Sequence, residues 1–165
     1  MNDPLLIAPQ PEPSLNIVLF QPEIPGNTGA IGRTALALGA KLWLVRPLGF
    51  QVDQKTLRRA GLDYWKHLDW EVADHWDDLL ERLQPDRIWY FSRFATKSYF
   101  SASFERGDTL VFGCETSGLP KTLTEPNQDR LLRIPTTEKV RSLNLATSAG
   151  IVSYEAFRQI SQSST

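Results

Sequence analysis

Short apolar runs and amphipathic segments alternate along the chain. Six largely apolar runs predict strands, at residues 15–20, 41–45, 70–73, 87–91, 109–112 and 131–134. The run at 15–20 has no clean alternation of apolar and polar residues, which predicts a strand buried on both faces. Helical spacing predicts a first helix, with Asn27 or Thr28 as its N-cap and Gly39 as its C-terminal stop. It also predicts a short helix near 53–61, one at 77–83, and a last one that starts near Ser142. This alternation predicts an α/β fold with a mostly parallel sheet flanked by helices.

The last of these helices has two different faces. The hydroxyl of Ser142 can accept a hydrogen bond from a first-turn N–H, so this residue is the predicted N-cap. One face is apolar, with residues at helical spacing: Leu145, Ala149, Val152, Ala156 and Ile160. The other face carries the small residues Ala146, Gly150 and Ser153, which predict that another backbone comes close.

Length and composition limit the kinds of domain and of site that this chain can form. The chain has 165 residues, 41% of them hydrophobic, and we expect one folded domain at 15–160. Prolines in the first fourteen residues predict a disordered arm at 1–14, and the polar residues 161–165 predict a frayed tail. The single Cys114 excludes internal disulfides, and with two histidines besides it we expect no metal site. The sequence shows no secretory signal pattern and no apolar run long enough to span a membrane, so we expect a cytoplasmic protein.

Three loops are candidates for a functional site, because each follows a buried strand and contains Gly, Pro or small polar residues. They are residues 21–29, 113–120 and 135–144. Ligands bind beyond the carboxyl ends of parallel strands, so we expect these loops to converge. The first loop lacks the G-x-G-x-x-G spacing of a dinucleotide-binding site.

Polar side chains in or beside these loops each allow two interpretations. Arg33 is either a solvated helix residue or a phosphate clamp. Glu115 either accepts hydrogen bonds from the backbone of a neighbouring loop or holds a substrate group. Lys139, Arg141, Ser142 and Asn144 would each pass for surface residues alone, but together at a helix start they suggest an anion or ribose site.

Several ordered motifs resemble those of a known superfamily. They are PEIPGNTG at 22–29 followed by Arg33, LRRAGLDY at 57–64, FGCETSGLP at 112–120, RIP at 133–135, VRSLNL at 140–145 and YEAFRQ at 154–159. In these motifs the chain resembles the SPOUT superfamily of RNA methyltransferases. It is most similar to the branch that 2′-O-methylates the wobble nucleotide, a cytidine or a modified uridine, of tRNA leucine. Departures from the branch are Gly26, where Pro is frequent, and Ala146-Thr147, where Ser-Asn is frequent.

The resemblance implies a C-terminal trefoil knot, a homodimer, and S-adenosylmethionine bound in the knot. Matched by position, the cofactor-binding residues would be Phe91 or its neighbour Ser92, Gly113, Ile134, Ser142 and Leu143. The catalytic residues would be Arg33, Ser142 and Asn144, with the arginine as activator of the ribose hydroxyl.

The tRNA substrate would need local contacts, because the whole chain has a net charge of only −1. The expected substrate-binding residues are Asn27, Arg33, Arg58, Arg59, Glu115 and Arg141, with Lys139, Tyr64 and Trp65 as further candidates. Two alternatives stay open from the sequence: a catalytically silent RNA-binding dimer on the same scaffold, and methylation of another RNA. A flavodoxin-like nucleotide-binding domain fits the motifs less well.

Overall fold

In the part of the chain that the structure describes, seven strands and four helices make up the fold. The structure, a computed structural model, describes residues 5–53 and 63–163. The strands are β1 (Asn16–Phe20), β2 (Lys41–Val45), β3 (Trp70–Ala73), β4 (Ile88–Phe91), β5 (Lys97–Ser98), β6 (Thr109–Phe112) and β7 (Leu131–Arg133). The helices are α1 (Pro25–Leu38), α2 (Trp76–Leu83), α3 (Lys121–Thr124) and α4 (Leu145–Ser163), with 3₁₀ turns at Asp63–His67, Tyr99–Ser101 and Glu125–Arg130.

The sheet has the strand order β3-β2-β1-β6-β4-β7-β5, and every neighbouring pair is parallel. Its inner strands are buried on both faces: in β1, Ile17 and Leu19 belong to one apolar cluster, and Val18 between them belongs to another. Helices α1 and α4 contribute to the first cluster, whereas Leu79 of α2 and Leu123 of α3 contribute to the second. The predicted parallel α/β sheet flanked by helices is therefore confirmed.

The start of α1 differs from the prediction. The helix begins at Pro25 with Ile24 as the N-cap, and the apolar side chain of Ile24 accepts no capping hydrogen bond. The prediction of Asn27 or Thr28 as the cap was therefore wrong. Proline suits the first helical position because its φ is already fixed near the helical value. The predicted end was right: Gly39 has a left-handed φ of 62°, and its N–H bonds to Leu36 O.

The start of α4 also differs from the prediction. The cap is Asn144, whose Oδ1 accepts hydrogen bonds from the N–H groups of Ala146 at 2.8 Å and Thr147 at 3.2 Å, so the choice of Ser142 was wrong. The helix continues to Ser163, so the tail predicted at 161–165 is helical over its first three residues.

The small-residue face of α4 is only partly used inside this chain. Ser153 is fully buried, as close packing requires. A Cβ at Gly150 would meet no heavy atom of residues 5–53 and 63–163 within 4 Å, so no backbone in these ranges requires that glycine.

One predicted helix cannot be compared with the structure, and two short elements were not predicted. The helix expected near 53–61, together with Arg58 and Arg59, lies almost entirely outside the described residues. The sequence pattern did not predict β5 or α3, which have only two and four residues. Within 5–53 and 63–163, no helix is long and apolar enough to cross a membrane.

Candidate active site

A cleft of about 560 Å³ lies beyond the carboxyl ends of three neighbouring strands, β6, β4 and β7. Residues from all three predicted loops line it: Ile24 and Asn27 from the first, 113–118 from the second, and residues of 136–144 from the third. The predicted convergence of the loops is therefore confirmed. The cleft lies where parallel α/β sheets bind ligands.

All of the residues predicted to bind the cofactor line this one cleft: Phe91, Ser92, Gly113, Ile134, Ser142 and Leu143. Phe91 is buried and stacks on Phe112, with ring centroids 4.8 Å apart and planes at 14°. The hydroxyl of Ser142 has no hydrogen-bond partner among the described residues. The cleft thus offers an apolar aromatic wall and a free hydroxyl to a ligand.

Gly113 is fixed by the tight fold of its own loop. A Cβ at this position would lie 2.1 Å from Gly118 C and 2.2 Å from Leu119 N, both of them backbone atoms. The loop closes because Gly118 N–H donates to Cys114 O at 3.0 Å, and Gly118 itself has a left-handed φ of 70°. Any side chain at position 113 would force the loop apart.

Glu115 connects this loop to the start of α1. Its Oε2 accepts from Glu23 N–H at 2.7 Å, and its Oε1 accepts from Ile24 N–H at 3.0 Å and from Asn27 Nδ2 at 3.2 Å. A carboxylate placed at unpaired first-turn N–H groups also interacts favourably with the helix dipole. Of the two interpretations of Glu115, the structure supports contact with a neighbouring loop. A direct contact with substrate stays a prediction.

Glu23, just before α1, binds back to the loop that carries Glu115, and the sequence analysis did not identify this residue. Its carboxylate accepts hydrogen bonds from Thr116 N–H at 2.9 Å and from the Thr116 hydroxyl at 2.8 Å. The two glutamates therefore form a reciprocal latch between the loops at 21–27 and 113–118. An acidic side chain between Pro22 and Pro25 was the available signal.

A chain of amide hydrogen bonds brings the third loop into this network. Asn144 Nδ2 donates to Asn27 Oδ1 at 3.1 Å, and Asn27 Nδ2 in turn donates to Glu115. Asn144 also caps α4 through its own Oδ1. These contacts give Asn27 and Asn144 a role in holding the loops together. Their predicted roles toward substrate and catalysis stay predictions.

Arg33 is not part of the cleft wall in this chain. It lies exposed on α1, with its guanidinium carbon 4.7 Å from the centre of the Tyr64 ring. The Tyr64 hydroxyl donates to Gly29 O, and burial raises the pKa of that hydroxyl although the nearby Arg33 opposes the shift. Arg33 is therefore held against α1 by an aromatic ring, with its guanidinium accessible from outside.

The cleft is positively charged although the chain as a whole is not. Arg141, a predicted substrate contact, lines it together with Arg93 and Arg133, which the sequence reasoning missed. Among the described residues that line the cleft, Glu115 is the one acidic residue, and both of its carboxylate oxygens already accept hydrogen bonds. Across the described ranges, no three Cys, His, Asp or Glu side chains cluster as metal ligands would.

The comparison with protein families decides the class to which this chain belongs. The family described as the SpoU rRNA Methylase family matches residues 14–154, a span that holds every loop of the cleft. The chain belongs to this family. The resemblance to RNA methyltransferases is thereby confirmed, and the SpoU methylases are enzymes.

Individual relatives of this SpoU family member agree in sequence and in fold. A tRNA (cytidine(34)-2′-O)-methyltransferase of Saccharophagus degradans is 46% identical over 146 residues, which cover 88% of this chain and 95% of that protein. A solved structure described as giving insights into the 2-OH methylation of C/U34 on tRNA is 46% identical, with a TM-score of 0.84 over 90% of this chain and 97% of that one.

A more distant relative was solved with a cofactor. The SpoU methyltransferase AviRb of Streptomyces viridochromogenes, in complex with AdoMet, is 26% identical with a TM-score of 0.78. The match covers 92% of this chain and 59% of AviRb, so this SpoU family member corresponds to one part of that larger chain.

Proposed function

We propose that this protein transfers a methyl group from S-adenosylmethionine to the ribose 2′-hydroxyl of the wobble nucleotide of tRNA leucine, a cytidine-34 or a modified uridine-34. The observation that carries the proposal is the single cleft lined by all of the predicted cofactor-binding residues. The relatives named for methylation at nucleotide 34 support the choice of substrate. A tRNA substrate would place the reaction in the cytoplasm.

The residues of the cleft suit S-adenosylmethionine. Phe91 and Phe112 supply apolar surface, and Ile134 and Leu143 offer backbone groups that can recognise an adenine without charge. The Ser142 hydroxyl makes no hydrogen bond to the described residues and is assigned to bind a polar group of the cofactor. When bound, the cofactor supplies an electrophilic methyl carbon attached to a positively charged sulfur. The cleft residues position it, which converts a bimolecular reaction into an effectively unimolecular one.

Arg33 is the residue to which we assign activation of the ribose. A guanidinium has no acceptor atom and a pKa above about 12, so it does not take the proton from the hydroxyl. We assign it instead to gripping the phosphate next to the target ribose and stabilising the developing alkoxide. The proton then leaves through the phosphate or through water.

Because Arg33 lies outside the wall of its own cleft, we propose that it acts in the cleft of a second copy of the chain. The outer faces of α1 and α4 support a homodimer: Ile151 and Tyr154 are 36% and 53% exposed, and Ala30 and Ala37 are exposed on the neighbouring helix. These are apolar and small side chains of the kind that homodimer interfaces bury.

We also propose that the chain forms the C-terminal trefoil knot. Strand β7 lies between β4 and β5, although β4 and β5 are joined by only the residues 92–96. The chain that leaves β7 at Ile134 must therefore pass this short connection before it reaches the cleft loop at 135–144. Such a crossing is what a threaded C-terminal segment requires, and it is rare in other folds.

Replacement of Arg33 by alanine tests the assignment. We expect transfer of labelled methyl groups to tRNA to fall by at least about 100-fold, the effect of removing one preorganised donor, with S-adenosylmethionine affinity near that of the wild type. Arg106→Ala is the matched control, because Arg106 is exposed and its side chain makes no hydrogen bond or ion pair with the described residues. Transfer retained in Arg33→Ala would refute the role.

Mixing two impaired variants, at an S-adenosylmethionine concentration too low to fill the Gly113→Ala cleft, tests whether the site is shared between copies. An Arg33→Ala chain keeps an intact cofactor cleft but lacks the arginine, whereas a Gly113→Ala chain keeps Arg33 but has a damaged cleft. Random reassortment should complete about a quarter of the sites, because half of the dimers are mixed and one of their two clefts is intact. No recovery of activity would contradict the shared site. Mapping of 2′-O-methyl groups on tRNA from cells lacking the protein then identifies the nucleotide.

A further inference from the structure

Phe94 is an exposed aromatic residue at the cleft. Its side chain is 71% exposed, although it lines the same cleft as the buried Phe91. A tight turn presents it: Ser92 Oγ accepts from Phe94 N–H at 3.2 Å, and Ala95 N–H donates to Ser92 O at 3.2 Å. Ala95 is buried and anchors the far side of the turn. The ring is therefore held at the solvent edge of the cleft by a braced backbone.

The surroundings of Phe94 are cationic. The Arg93 guanidinium lies 4.5 Å from the centre of the Phe94 ring, and Arg133 and Arg141 line the same cleft. In the described part of the chain no other aromatic ring stacks on Phe94, which leaves much of its surface open. Proteins that bind single-stranded nucleic acid combine these two features, a positive groove for the backbone and an aromatic face for a base.

We propose that Phe94 is a stacking platform for an unpaired RNA base beside the target ribose, and that Arg93 accompanies it by contacting the RNA backbone. This inference rests on the proposed function and adds the contact that holds the substrate base. The adenine of the cofactor is a different ligand for the same cleft, but the buried wall at Phe91 suits it better than a ring that is 71% exposed.

Steady-state kinetics on an anticodon stem-loop RNA tests the platform. We expect Phe94→Leu to raise KM for the RNA on the order of tenfold, the loss of one stacked base, while the affinity for S-adenosylhomocysteine stays unchanged. Phe94→Trp should restore wild-type binding because it keeps an aromatic face. Phe100→Leu is the matched control, since Phe100 is also 71% exposed but does not line the cleft.

A probe independent of methyl transfer separates this inference from the proposed function. A short single-stranded RNA with 2-aminopurine at the target position should lose fluorescence when it binds the wild type, and lose little with Phe94→Leu. If the wild type quenches 2-aminopurine and Phe94→Leu does not, but no methyl group is transferred, the stacking role of Phe94 is supported and the proposed function is refuted. Equal quenching and equal KM for both proteins, or a loss confined to S-adenosylhomocysteine affinity, would overturn the platform.

Discussion

Glu115→Gln is the substitution that tests most sharply how the cleft is held together. The wild-type carboxylate accepts two backbone hydrogen bonds, from Glu23 and Ile24, and one from the side chain of Asn27. Glutamine has nearly the same shape but only one acceptor oxygen and no charge. Its NH₂ group would face an N–H donor or turn away, so at least one of these hydrogen bonds is lost.

The expected magnitude follows from those contacts. A hydrogen bond to a charged group contributes about 1.5–3 kcal/mol net, and the charge at a helix start adds about 0.3–1 kcal/mol. Glu115 is half-buried, which reduces solvent screening without removing it. We therefore expect Glu115→Gln to lower the free energy of unfolding by about 2 kcal/mol and to weaken cofactor binding, because the loop at 113–118 loses its attachment to α1.

Urea unfolding followed by tryptophan fluorescence measures this change, at one fixed protein concentration. Glu138→Gln is the control. Glu138 is exposed in the neighbouring loop, and its side chain makes no hydrogen bond or ion pair with the described residues. Its replacement should change the free energy of unfolding by less than about 0.5 kcal/mol. The double variant with Glu23→Gln should be non-additive, since both carboxylates belong to one latch. A Glu115→Gln protein as stable as the Glu138→Gln control would refute the latch.

Two further predictions concern the cleft loop and the last helix. Gly113→Ala should destabilise the protein by about 1–3 kcal/mol in urea unfolding, because its Cβ meets backbone at 2.1 Å. Gly26→Ala, with nothing within 4 Å on helix α1, should leave the stability unchanged or raise it by up to about 1 kcal/mol. Hydrogen bonds from Arg158 and Gln159 lower the pKa of Glu155 from 4.5 to about 2. The stabilisation of the folded protein by the ionised Glu155 is therefore complete above about pH 4.5 and is lost as the pH falls toward 2. Glu155→Gln should flatten that part of the curve of unfolding free energy against pH. An unchanged curve would contradict the pairing of Glu155 with Arg158 and Gln159.

Much of the sheet was predictable because buried parallel strands are continuous apolar runs. The bounds of β2, β3 and β6 agree with the sequence prediction residue for residue. The convergence of the three loops was predictable for a general reason, since carboxyl ends of parallel strands share one edge of the sheet. The stop at Gly39 needed only the left-handed conformation that glycine adopts easily.

The helix starts were not predictable from local rules. The N–H groups before α1 are satisfied by Glu115, about 90 residues further along the chain, so no capping pattern near Asn27 could reveal it. For α4 the choice between Ser142 and Asn144 depends on backbone geometry, because both residue types are good caps. Only the folded chain shows which side chain reaches the free N–H groups.

The position of Arg33 and the charge of the cleft were also hidden from the sequence. The motif fixes Arg33 on α1, but its contact with Tyr64 depends on how a later segment packs against that helix. The net charge of −1 conceals the three arginines of the cleft, because most acidic side chains lie elsewhere; Glu71, for example, pairs with Lys41 and Arg82.

Calorimetric titration of S-adenosylmethionine tests most directly the claim that the three strand-end loops build one cofactor pocket. The account predicts that each wild-type chain binds one molecule, and that a folded Gly113→Ala protein binds at least about tenfold more weakly because its loop is forced open. Absence of binding to the wild type, or unchanged affinity in folded Gly113→Ala, would contradict it.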